Sequence, residues 1–109
     1  GVLGGPGDFT VVIRFSATVA DRVREREWHE SQIRRDLPDG GLEITLRLGA
    51  LAEVEGWVLG WGAEAEVVQP AELRRRVAAT ASRLAAVYGA IPGLKAATTR
   101  QTARNSRKA

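Results

Sequence analysis

The sequence predicts an α+β fold, a ferredoxin-like βαββαβ antiparallel sheet with an added C-terminal helix. Three observations carry that expectation. Short runs of β-branched, aliphatic and aromatic residues end in Gly, Pro, Asp or Ser; segments with apolar residues three and four apart lie between them; and the two kinds of segment follow the order strand, helix, strand, strand, helix, strand, helix. In the split βαβ arrangement two helices cover one face of a four-stranded sheet and the other face stays open.

Taken in order, FTVVIRF from Phe9 to Phe15 is a β-branched and aromatic run bounded by Gly7-Asp8 and Ser16, and reads as the first strand. Residues 17–28 place Val19, Ala20, Val23 and Glu27 at helical spacing, with Arg and Glu between them. From Ser31 to Leu37 the pattern alternates, Pro38-Asp39-Gly40-Gly41 supplies a turn, and Leu42 to Leu48 alternates again, which makes a hairpin. Leu51, Val54, Trp57, Val58 and Trp61 form one helical stripe that Gly60 and Gly62 weaken and then end. A short strand from Glu64 to Val68 follows. Pro70 opens a long amphipathic helix on Leu73, Val77, Ala81, Leu84 and Tyr88, which Gly89 and Pro92 stop.

The chain has 109 residues, enough for one core. Residues 9–94 are expected to form it. The glycine-rich opening GVLGGPG, which does not begin with Met, reads as the end of a linker over residues 1–8, so the chain is expected to be a fragment. Its net charge of +3 is unevenly distributed: the first 94 residues hold eleven Arg against thirteen Asp or Glu, while Lys95, Arg100, Arg104, Arg107 and Lys108 make residues 95–109 a basic, flexible tail. That tail has no aromatic residue to stack on a base. With no cysteine, disulfide and thiolate chemistry are excluded, and no apolar run approaches a membrane span or signal peptide, so a cytoplasmic location is the default expectation.

Catalytic chemistry finds little footing. His29 is the single histidine, and its neighbours Glu27 and Glu30 lack the spacing of a metal site. No Gly-x-Ser-x-Gly elbow surrounds Ser16, Ser31, Ser82 or Ser106, and the glycines at 1–7 and 60–62 do not form a phosphate-binding loop. Neither an enzyme nor a bound cofactor or metal is expected.

The strand VVIRF, the segment ADRVRERE with Trp28, the hairpin at Asp39-Gly40 and the series EVEGWVLGWGAEAEVVQPAELRRRVAATASRLAAVYG from Glu53 to Gly89 carry a resemblance. Over residues 9–89 the chain is similar to the WCX domain, the extension that follows the WYL domain in many bacterial transcriptional regulators. Trp57, Leu59, Gly60, Gly62, Val67, Pro70, Leu73, Arg74 and Tyr88 stand where that pattern wants them. The resemblance implies a regulatory or assembly module. It also implies a parent protein, expected to be a homodimer, in which a missing N-terminal winged helix-turn-helix binds DNA and a WYL domain of the same or a partner subunit is this domain's neighbour.

Two groups of residues are candidate contact sites. If Leu42, Ile44 and Leu46 face the helices, Thr45 and Arg47 point to the open sheet face, and alternation sends Arg14 there too, with Ile33 and Leu37 inward and Gln32, Arg34 and Asp36 outward. Arg14, Arg34 and Arg47 are then expected to form a row able to grip phosphates or carboxylates, of a nucleic acid or a phosphate-bearing effector, with cross-strand pairing to Glu43 and Asp36 as the competing outcome. Trp57 and Trp61, four apart on an apolar face, are core or interface anchors, and Arg74, Arg75 and Arg76 near a helix start invite an acidic neighbour. An autonomous nucleic-acid-binding module using the Arg row and tail is the alternative function.

Overall fold

A computed structural model describes residues 7–89. In chain order its elements are β1 (Phe9–Phe15), α1 (Ala17–Arg24), β2 (Ile33–Asp36), β3 (Leu42–Leu48), α2 (Ala52–Gly60), a 3-10 turn (Gly62–Glu64), β4 (Ala65–Gln69) and α3 (Ala71–Tyr88). The strands make one sheet in the order β2-β3-β1-β4, with every neighbouring pair antiparallel. This is the ferredoxin-like order that the sequence predicts, and α3 is the added helix. Residues 1–6 of the expected linker and the basic tail lie outside the described residues. The described residues fall into two compact units, one ending at Val77 and the other beginning at Ala78. In the second, the remainder of α3 carries Leu84, Val87 and Tyr88 exposed.

The first unit owes its core to strict alternation in the two central strands. β1 and β3 pair with Ile13 opposite Ile44 and Phe15 opposite Leu42, so Val11, Ile13 and Phe15 line up with Leu42, Ile44, Leu46 and Leu48 on one buried face. Val19, Ala20 and Val23 of α1, Leu51, Val54 and Val58 beside and along α2, Val67 of β4 and Leu73 of α3 complete the cluster. Each large aliphatic side chain withdrawn from water there contributes about 1.5–3 kcal/mol. At the β2–β3 turn Gly40 sits at φ +89, which an L side chain adopts only with strain, and the Asp39 carboxylate accepts the Gly41 N–H at 2.8 Å. Gly62, at φ +64, ends α2 in the same left-handed region.

Two expectations need correction. The first helix stops at Arg24, not at residue 28. Trp28 instead folds back so that its indole N–H donates to the Val23 carbonyl at 2.9 Å, occupying an acceptor that the helix end leaves free, while its backbone N–H donates to the Gln32 side chain at 2.8 Å. Buried His29 fastens the loop that follows, its Nδ1 accepting the Ser31 N–H at 3.1 Å.

The second correction concerns the parity of β2, which is one residue off the expectation. Ile33 pairs with Thr45 and Arg35 with Glu43, which puts Ile33 and Arg35 on the open face; Arg34 pairs with Ile44 and Asp36 with Leu42. Ile33 is 66% exposed. All four residues of β2 are exposed, so no burial term holds the register, whereas polar contacts on the helix side do. Asp36 meets Arg24 at 2.7 Å, and Arg34 donates to the Arg26 carbonyl at 3.4 Å. The Asp36 hydrogen bond, joined by Asp21, raises the pKa of Arg24 against a smaller opposing effect of desolvation.

Candidate functional site

The open face of the sheet does not assemble three arginines. Arg14 and Arg47 both lie on it, but Arg47 pairs with Thr10 and Arg14 with Glu43, two same-face rows apart, or about 13 Å along the strands. Arg34 is on the other face. The row through Arg14 contains Arg35, Glu43, Arg14 and Glu66 from β2, β3, β1 and β4, a ladder of alternating sign across the whole sheet. Arg35 holds the Glu43 carboxylate through both oxygens, Nε to Oε1 at 3.1 Å and Nη2 to Oε2 at 3.0 Å, and Arg14 Nε donates to Oε2 at 3.0 Å. Arg74, at the start of α3, extends the ladder to Glu66 at 3.1 Å and also donates to the Val67 carbonyl at 2.6 Å. The two guanidinium groups, Arg14 first, hold the Glu43 carboxyl below the usual carboxylate range, and desolvation only partly offsets them.

The other expected contact residues divide in the same way. Arg76 bridges Glu72 at 3.0 Å and Glu55 of α2 at 3.5 Å, so it closes the first turns of α3 onto the neighbouring helix. Arg75 and Arg47 are exposed and have no ion pair among the described residues.

The helix side presents a different chemistry at the corner between α1 and α2. Phe15 is buried at the end of β1, and the rings of Trp57 and Trp61 meet its edge at 5.6 and 5.7 Å between centroids. Trp28 lies 5.1 Å from Trp57 and 6.1 Å from Trp61. The helix spacing of GWVLGW explains the arrangement: residues 56, 57, 60 and 61 share one face of α2, alternating a glycine with an indole, while Val54 and Val58 face the core. An open groove of about 420 Å³ results, lined by Val19, Arg22, Trp28, Gly56, Trp57, Gly60, Trp61 and Glu64. The Arg22 guanidinium stands over the Trp61 ring at 5.5 Å and that of Arg26 over Trp28 at 5.3 Å.

Three features of this corner leave local interactions incomplete. Neither Arg22 nor Arg26 has an ion pair among the described residues. Among the described residues the Trp57 indole N–H is buried with no acceptor, an arrangement that costs about 1–3 kcal/mol. A methyl group on Gly56 or Gly60 would meet nothing within 4 Å among the described residues beyond its chain neighbours and its own helix, although glycine inside a helix costs about 0.8–1.0 kcal/mol against alanine. Glu64, the one acid in the lining, is engaged by the Ser16 hydroxyl.

Trp57 and Trp61 are thus the expected contact residues that the structure brings into one site. Arg22 and Gly56 line the groove beside them and are absent from the sequence expectations. Gly56 and Gly60, four apart in phase with the two tryptophans, are the signal that points to a bare helix face.

Comparison with known proteins agrees with this architecture. A family model, the WCX domain, matches residues 7–85. No curated protein matches the chain significantly. The matched stretch takes in the whole sheet, α1, α2 and most of α3, the elements that build both the ladder and the aromatic corner, and the chain belongs to the WCX domain family.

Proposed function

We propose that this domain is the regulatory or assembly module of a WYL-type transcriptional regulator, acting in effector sensing or in dimer formation rather than in catalysis. Membership of the WCX family supports a regulatory role. The observation that carries the reading further is the groove between α1 and α2, which the half-buried Trp57 and Trp61, the exposed Arg22 and a bare stretch of helix line together with the buried Trp28. Structures depart from local rules of packing and pairing chiefly where they do something besides fold.

The test is association of the 109-residue chain with the separately expressed WYL domain of its parent, followed by calorimetry. Binding that Trp61→Ala weakens is the expected result; no association of the two would overturn the reading. Oligonucleotide binding by the same chain is expected to fall steeply with salt and to vanish without residues 95–109, because the ladder leaves Arg14 and Arg35 sharing one carboxylate. Tight, tail-independent binding of a short single strand, without association to the WYL domain, would favour the nucleic-acid reading instead.

A further inference from the structure

We infer that the α1–α2 groove is a binding site for a small organic acid, an apolar, preferably flat body bearing one carboxylate. The purpose of such a site rests on the regulatory reading above, but its chemistry does not.

The apolar half of the argument is geometric. Gly56 and Gly60 leave the backbone of α2 bare beside Trp57 and Trp61, and among the described residues a β-carbon there would meet nothing within 4 Å beyond its chain neighbours and its own helix. A flat body can lie against that helix surface and the two indoles, which pack edge to face on each other at 6.4 Å, contacts that a β-carbon at 56 or 60 would crowd. The groove volume of about 420 Å³ falls within the range of about 300–1,000 Å³ typical of small-molecule sites.

The charged half comes from Arg22. A guanidinium over an indole face is attracted to the ring while its N–H groups remain able to hydrogen-bond. Arg22, exposed and in the groove lining, stands over Trp61 at 5.5 Å, whereas Arg26 stands over the buried Trp28 and is not among the lining residues. Among the described residues Arg22 has no carboxylate partner, as is true of several exposed arginines, but it is the one that lines the groove, and the lining acid Glu64 is held by Ser16. A carboxylate brought by the ligand supplies the missing partner, with its apolar body in the groove.

The chain's three tryptophans, Trp28, Trp57 and Trp61, all line this groove, so their indole N–H resonances in a proton–nitrogen correlation spectrum report on it, that of Trp28 also through its bond to the Val23 carbonyl. The probe is 3-phenylpropanoate, titrated into the full chain, with 3-phenylpropanamide as its uncharged counterpart. Saturable shifts of the indole signals are expected in the millimolar range of a fragment. The amide should bind about tenfold more weakly, as should the acid to Arg22→Gln, since Arg22 is exposed and its replacement leaves the core intact. Gly56→Leu should abolish the shifts while the domain stays folded. Equal affinity for acid and amide, unchanged binding by Arg22→Gln, or no indole shift with the acid would overturn the proposal. A failed acid titration alongside WYL association sensitive to Trp61 refutes the ligand chemistry and leaves the regulatory reading standing. Acid binding without that association does the reverse.

Discussion

The two faces of this small domain handle polar chemistry in opposite ways. On the open sheet, each charge of the ladder from Arg35 to Arg74 is matched by its neighbour, and Glu43, only 13% exposed, is gripped from both sides. At the corner of α1 and α2, among the described residues, cations stand on aromatic rings without acids, a buried N–H lacks an acceptor, and two glycines border open space. Number of charges is therefore a poor guide to a contact surface. The arginine-rich face is closed by its own carboxylates, and the aromatic face, with fewer charges, is the one left unfinished.

That contrast breaks first at Phe15, which is 2% exposed and supports both α2 tryptophans. Phe15→Ala is expected to lower stability by about 3–5 kcal/mol in a denaturant melt. A much smaller loss would mean that the aromatic corner is a surface ornament independent of the core. Gly56→Ala sharpens the contrast from the other side: with open space around it, the added methyl should stabilise the isolated domain by about 0.8–1.0 kcal/mol. A destabilised variant would show that the groove is closed by the domain itself.

The ladder predicts a smaller and pH-dependent effect. Glu43 has a lowered folded pKa, so the unfolded chain binds its proton more readily; its contribution is complete above the ordinary Glu value of about 4.3 and is lost as pH falls through the lower, folded value. Glu43→Gln is expected to cost about 0.5 kcal/mol at neutral pH and to flatten the acid limb of the stability profile. An unaltered acid limb would place the pH dependence elsewhere. Smallest of all, Ile33→Thr should change stability by less than about 0.5 kcal/mol, because its side chain is on the open face; a core-sized loss would restore the inward parity that alternation suggests.

What the sequence made legible follows from where burial discriminates. β1 and β3 are seven residues long with one face buried apart from Phe9 at the start of β1, so alternation alone assigns their sides, and the order of elements leads to the observed sheet. β2 has four exposed residues, and its parity is decided by Arg24 meeting Asp36 and by Arg34 reaching a carbonyl past the end of α1, contacts between segments that no local pattern encodes. The same holds for the site. Trp57 and Trp61 announce themselves by spacing, whereas Arg22 acquires its significance only from Trp61, a residue distant in sequence and adjacent in space.

The exposed Ile33 has one more consequence, for what happens when many copies of the chain are concentrated together. β2 is an edge strand, with one side paired to β3 and the other free to recruit a foreign strand, and a bare isoleucine is the kind of residue a growing fibril seizes. Arg34, Arg35 and Asp36 follow it immediately, so any chain that docks in register must stack like charges upon like. The strand is short, and three of its four residues are ionised. The segment that least obeys the alternation rule is thereby the one that guards this edge of the sheet.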